Sequence, residues 1–189
     1  MIKAIREVDK VTPILIEPSY WAHIHTLSKL PIDRLLEIDS NILVSFHFYE
    51  PQVMTFRDKN KNRFSFPSEI PVYPEIEYSE VITIDDKFIR DKFTDAMEWS
   101  NKNNVQLVLG EFGISRDIVG AQHYLNSIMK TSAEFGISSF IYSFRDETWD
   151  SMDYELGEDF KTGIIRKELD NNVLMQTILN GIKDCNLKK

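Results

Sequence analysis

The sequence predicts an α/β fold built on a parallel sheet, and three observations predict it. Residues 13–17, 42–48, 105–111 and 138–144 are apolar at nearly every position instead of alternating, as strands covered on both faces are. Between and after these runs lie one-sided helical stripes. Polar and aromatic side chains crowd the carboxyl ends of all four runs, the edge at which parallel α/β folds bind ligands. Repeated βα units of this kind make either a doubly wound sheet or part of a βα barrel.

Taken in order, the first strand, 13–17, ends in Glu17-Pro18-Ser19-Tyr20-Trp21. Thr26 to Leu36 supports at most a short helix, because Pro31 interrupts it. The second strand, 42–48, runs into His47-Phe48-Tyr49-Glu50. Residues 50–84 are the longest non-periodic stretch and hold Pro51, Pro67, Pro71 and Pro74; ordered loops of that length are usually functional. Asp85 and Asp86 are N-cap residues for a helix whose stripe is Ile89, Phe93, Ala96, Met97 and Ser100, ending near residues 101–104. Trp99 on this helix reads as core. The third strand, 105–111, closes on Gly110-Glu111-Phe112-Gly113. A helix after Asp117 carries Ala121, Tyr124, Leu125 and Ile128, and Gly136 stands where a left-handed residue would stop it. The fourth strand, 138–144, leads into Arg145-Asp146-Glu147. A weaker helix holds Val173, Leu174, Ile178 and Ile182, with Asp170 or Asn171 as its cap. No repeat is visible, and residues 1–189 read as one domain.

Composition narrows the partners. The 189 residues are 42% apolar, 12% aromatic and 28% charged, an ordinary globular mix that excludes collagen, coiled coil and disorder. A net charge of −8 repels phosphate backbones and anionic lipid, so neither nucleic acid nor a membrane surface is an expected partner. Cys185 is the only cysteine, which excludes an intrachain disulfide and a cysteine-based zinc site. The first residues lack the apolar core of a secretion signal, and no run approaches the ~20 apolar residues of a membrane helix, so the chain as given reads as cytoplasmic.

Glu111 is the sharpest candidate. It ends a strongly apolar strand between two glycines that allow close approach, and an unpaired carboxylate there costs several kcal/mol to desolvate. The plainer alternative is a strand-end Glu paired with a surface Arg. His47 and Tyr49 share a side of their strand by the period-two rule and could converge on one carboxylate or ligand. Taken alone, His47 reads as a satisfied buried histidine, a reading that proximity to Glu111 would reverse. His23 and His25 also share a side if extended, but with only His47 and His123 elsewhere no metal site is expected, and no cofactor is implied. Arg145 either pairs with Asp146 at the rim or touches substrate. Trp21, Trp149 and Tyr154 are flat aromatics able to stack on a sugar ring.

These motifs in succession resemble the carboxy-terminal half of a glycoside hydrolase family 5 enzyme, the cellulase family. The resemblance rests on Pro13-Ile14-Leu15-Ile16-Glu17-Pro18 with Trp21, Ser45-Phe46-His47-Phe48-Tyr49-Glu50-Pro51, Gly110-Glu111-Phe112-Gly113-Ile114-Ser115-Arg116 and Tyr142-Ser143-Phe144-Arg145-Asp146. It implies a partial (β/α)8 TIM barrel comprising about the last four βα units, and hydrolysis of β-linked glycans with retention. It implies Glu111 as nucleophile, with His47 and Tyr49 matching the family's His-x-Tyr, the His on substrate and the Tyr on the nucleophile. Trp21, Arg145 and Trp149 are then further substrate contacts, and Glu17 orients its neighbours.

A retaining mechanism needs a second carboxyl ~5–5.5 Å from the first. In the family it is a Glu following an Asn on the fourth strand, and no Asn-Glu pair occurs in this sequence. Residues 1–10 resemble the last turns of the helix after that strand. Phe144 stands where many relatives have a platform Trp, and Phe56-Arg57-Asp58 where some have polar substrate contacts, so the glycan is left open. Half a barrel exposes strand edges and an apolar interior, which implies a complementing half-barrel chain or a homodimer. The alternative function is a catalytically inactive carbohydrate-binding or structural remnant. Full-length relatives are often exported, which leaves localisation open.

Overall fold

A computed structural model describes residues 1–72, 79–144, 150–155 and 172–186. Helix α1 (Ile2–Val8) leads into strand β1 (Ile14–Ile16), a 3-10 turn (Ile24–Lys29) and α2 (Ile32–Leu36), the last two being the Pro31-interrupted helix the sequence predicts. Strand β2 (Ile42–Phe48) follows, then α3 (Gln52–Thr55), α4 (Arg57–Asn60), β3 (Ser68–Pro71), β4 (Val81–Ile84), α5 (Asp86–Asn103), β5 (Gln106–Phe112), α6 (Ala121–Glu134), β6 (Ser138–Ile141) and α7 (Val173–Asn186).

The main sheet is parallel with the order β1-β2-β5-β6. Spatial order follows chain order without the reversal that defines a doubly wound sheet, so of the two predicted architectures the strands form an arc of a βα barrel. Among the described residues β1 and β6 each have one neighbour, which leaves two open sheet edges.

Alternation along the strands separates two environments. Val44, Phe46 and Phe48 on β2 are fully buried against the helix layer, where Phe93 of α5 packs edge-on against both phenyl rings at 5.6 and 5.3 Å. The opposite face carries Ser45 and His47. Leu15 and Phe140 remain 48% and 60% exposed, an apolar inner face without a cover among the described residues.

The caps behave as the sequence predicts, with informative exceptions. The Asp85 side chain accepts from Phe88 N at 2.9 Å, Asn104 takes a left-handed φ of 50° after α5, and Gly136 takes 69° after α6. The cap of α7 is Asn172, whose Oδ1 accepts from Met175 N at 3.0 Å; Asp170 and Asn171 lie outside the described residues. Strand β6 stops at Ile141 instead of 144 because the backbone changes partner, Ser143 N donating to Met152 O and Tyr154 N to Ser143 O.

The region from 50 to 84, predicted as one long loop, contains two single-turn helices and the antiparallel β3–β4 pair. Its described residues are packed, with Met54, Phe66, Ile70 and Ile84 all buried. Buried Asn60 organises its turn, donating to Met54 O and Phe64 O while its Oδ1 accepts from Arg63 N and Phe64 N. Elements of four residues are too short to show a hydrophobic period. No described helix is long and apolar enough to cross a membrane.

Candidate active site

The position of Glu111 depends on a bulge. Phe46 of β2 pairs with Leu109 of β5, but the next residue, His47, pairs with Glu111, so Gly110 is an extra residue on β5. The register against β6 skips in the same place, Leu109 facing Ser139 and Phe112 facing Ile141. Without the bulge Glu111 would share the side of Leu109, which is fully buried; with it, Glu111 turns to the inner face beside His47. Only glycine fits at the bulge, since a Cβ on Gly110 would stand 2.2 Å from Ser45 Oγ and 3.2 Å from His47 Nε2.

Three side chains then converge. Tyr49 donates its hydroxyl to Glu111 Oε2 at 2.9 Å, and His47 Nδ1 lies 3.5 Å from the same oxygen. On the other edge of the imidazole, His47 Nε2 is 3.1 Å from Glu17 Oε1, which also accepts from Ser45 Oγ at 3.0 Å. A neutral ring donates to one of these carboxylates at a time, an imidazolium to both. The sequence-predicted Glu111, His47, Tyr49 and Glu17 are therefore one hydrogen-bonded group, with Glu17 touching His47 instead of Glu111. His47 is buried and adjacent to Glu111, the proximity that the sequence reading asked for. The described partners of Glu111 are Tyr49 and His47, not a surface arginine. Both contacts fall on Oε2.

That cleft has a volume of about 830 Å³, and its lining includes Trp21, His47, Tyr49, Gln52, Phe56 and Glu111. Trp21 stands at the rim, 81% exposed, within three consecutive left-handed residues, Tyr20, Trp21 and Ala22 (φ 52–58°). Gln52 is a cleft residue the sequence reading missed, since it sits on a one-turn helix inside the supposed loop, whereas Phe56, between α3 and α4, belongs to the Phe56-Arg57-Asp58 stretch that the sequence placed at possible substrate contacts. Arg145 and Trp149 lie outside the described residues. Tyr154 is no stacking platform: it is 1% exposed, and its hydroxyl donates to Ile114 O at 2.6 Å and accepts from Ile114 N at 2.8 Å, pinning the chain just after β5. A buried hydroxyl with both bonds made inside the protein has no face to offer a ligand.

Burial pushes the Tyr49 phenol far above its ordinary value, and the neighbouring Glu111 charge pushes it further; burial likewise raises Tyr124 and Tyr154. Both effects favour the protonated phenol, the form that donates to Glu111. A folded-state value above the unfolded one contributes stability that is complete below about pH 10 and is lost as pH rises past it, because the unfolded tyrosines ionise first. Thermal melts are expected to fall steeply above about pH 10, with a step in tyrosinate absorbance at unfolding as these three phenols ionise; a melt at high pH without that step would contradict their burial.

The profile described as Cellulase (glycosyl hydrolase family 5) matches residues 1–148. No curated protein matches the sequence. Among solved structures, the chain is similar to an "endoglucanase" at 25% identity and a TM-score of 0.61, covering 92% of this chain and 51% of that one. Endoglucanase Cel5A from the hyperthermophilic Thermotoga maritima aligns at 21% identity and a TM-score of 0.68, covering 93% and 50%. The same enzyme in complex with mannotriose aligns at 21% and 0.67, covering 93% and 51%. The chain spans about half the length of these structures, so its fold is a partial (β/α)8 barrel.

Proposed function

The chain belongs to glycosyl hydrolase family 5, the cellulases, and from that membership we propose that it is the nucleophile-bearing half of a retaining glycoside hydrolase acting on β-linked glycans. The observation that carries this reading is the group of Glu111, Tyr49 and His47 at adjacent strand ends on one cleft. In the first step a Glu111 carboxylate oxygen attacks the anomeric carbon and the glycosidic C–O bond breaks. A protonated carboxylic acid on the opposite side gives its proton to the departing oxygen. In the second step the same group, now a carboxylate, takes a proton from water, which attacks the anomeric carbon and releases Glu111. Tyr49 holds Oε2 of the nucleophile throughout, and His47, fixed by Glu17, reaches both Glu111 and the sugar.

Glu17 does not supply the acid, because it lies across the imidazole from Glu111 and is committed to His47 and Ser45. The acid comes from polypeptide that closes the open β1 edge, whether a longer form of this chain or a separate complementing half-barrel chain. A homodimer would place two Glu111 side chains four strands apart, too wide for the ~5–5.5 Å gap of retaining chemistry. Residues 1–189 act as one half-barrel unit, with Trp21, Arg145 and Trp149 as substrate contacts. The endoglucanase neighbours and the mannotriose complex of the Thermotoga enzyme support β-linked gluco- and manno-oligosaccharides as the first substrates to try.

The test is completion of the barrel. Co-expression with a polypeptide bearing the first four βα units of a family member is expected to give oligosaccharide hydrolysis that neither part shows alone. A stable complex that binds oligosaccharide without turnover would favour the inactive carbohydrate-binding alternative instead.

A further inference from the structure

A second polar cluster lies beside the catalytic group, and we propose that its members, His23, His25 and Glu50, bind a zinc ion. His23 Nδ1 is 3.3 Å and His25 Nδ1 3.8 Å from the same Glu50 Oε1, and the three donor atoms lie within 4.8 Å of one another. A tetrahedral zinc with nitrogen and oxygen ligands at ~2.0–2.1 Å spaces those ligands about 3.4 Å apart, so small side-chain movements close the site. The two imidazoles are already stacked, centroids 5.4 Å apart and 27° between planes, with their Nδ1 atoms turned to the one carboxylate.

A second observation points the same way. His23 Nδ1 is buried and makes no hydrogen bond in spite of its distance to Glu50. A buried polar atom left unpaired costs about 1–3 kcal/mol, and coordination would satisfy it. The His25 side chain, 63% exposed, provides the entry path. Two imidazoles and a carboxylate form a borderline-soft set suited to zinc, and the fourth position is open to water.

The protons balance through Gln52. Its amide nitrogen faces His23 Nε2 at 3.0 Å while exposed Lys59 bonds its oxygen, an arrangement that leaves the ring proton on Nδ1. On coordination the neutral ring changes tautomer: its single proton leaves Nδ1 and returns through solvent to Nε2, and zinc takes the freed Nδ1 lone pair with no net release of a proton from this ring. The amide then turns to accept it, as the outer partners of metal-bound histidines do, and Lys59 releases its bond. The ion would fasten the Tyr20–Ala22 segment, with its three left-handed residues, to the end of β2, and so fix Trp21 at the cleft rim. Sequence spacing gave only two of the three ligands; Glu50 joins them through the β2 fold.

Zinc titrated calorimetrically into the intact chain is expected to bind at one equivalent and raise the melting temperature, and Co²⁺ in its place to give the intense visible bands of a tetrahedral site. His25→Ala, at an exposed position that leaves the fold intact, is expected to weaken binding by more than about a hundredfold, since loss of an outer partner alone costs ~10–100-fold. His123→Ala on α6, where His123 pairs with Asp86, is expected to change nothing. No melting shift in a large molar excess of zinc, or binding undiminished by His25→Ala, would overturn the site and leave Glu50 as an ordinary ion-pair partner of the two histidines. Neither result bears on Glu111, so the zinc site and the glycosidase reading fail separately.

Discussion

Glu111→Gln in the completed barrel is expected to lower kcat/KM for β-linked oligosaccharides by at least ~10³-fold, the loss of about 4 kcal/mol of transition-state stabilisation. Glutamine has the same shape, and its carbonyl still accepts from Tyr49, so the site stays assembled while the proposed nucleophile loses its charge. The two carboxyl roles separate by leaving group. A substrate whose leaving group departs as a stable anion needs no proton and rescues a lost acid, but it does not rescue a lost nucleophile. Glu111→Ala supplied with azide is expected to recover turnover and to yield the glycosyl azide of inverted configuration, because the small anion enters from the vacated side. Retention of more than about a tenth of the wild-type rate by Glu111→Gln would remove Glu111 from the mechanism.

Phe93→Ala is expected to destabilise the chain by about 3–5 kcal/mol, a large share of the ~5–15 kcal/mol that holds a typical domain folded. Phe93 is fully buried on α5, edge-on to Phe46 and Phe48, and its removal leaves a cavity between the helix layer and the strand that carries His47. At ~2–4 °C per kcal/mol for a chain of this size, the melting temperature falls by roughly 6–20 °C. Phe140→Ala is the contrast. Phe140 is 60% exposed on the inner face, and its truncation in the isolated chain is expected to cost within about 0.5 kcal/mol. In the completed barrel the same change becomes costly, because the closing strands bury that ring. Equal destabilisation by the two variants in the isolated chain would show that the inner face is already covered.

Much of the site was legible because its residues end strands. Glu111, His47, Tyr49 and Glu17 each follow or terminate an apolar run, and a parallel sheet brings such ends to one edge whatever the details of packing. The helices were equally plain, since α5 and α6 are long enough for a hydrophobic period and carry their caps within a residue or two of where Asp85, Asn104 and Gly136 imply. Tyr154 closes the core instead of offering a stacking face, and the sequence does not separate the two because a tyrosine in a loop has the same ring in either role. Its two bonds to Ile114, forty positions earlier in the chain, decide for the core.

The amino-acid sequence by itself determined the class of fold, the strand ends that bear the chemistry and the family, because periodicity and motif succession are local properties of a chain. The tertiary structure alone decided three things. The bulge at Gly110 set which face Glu111 occupies, since register is a relation between strands. The order β1-β2-β5-β6 chose an arc of a barrel over a doubly wound sheet, since either arrangement satisfies the same apolar runs. The meeting of Glu50 with His23 and His25 joined the end of one strand to the loop after another, a contact that no local pattern encodes because its parts come together only when the strands pair.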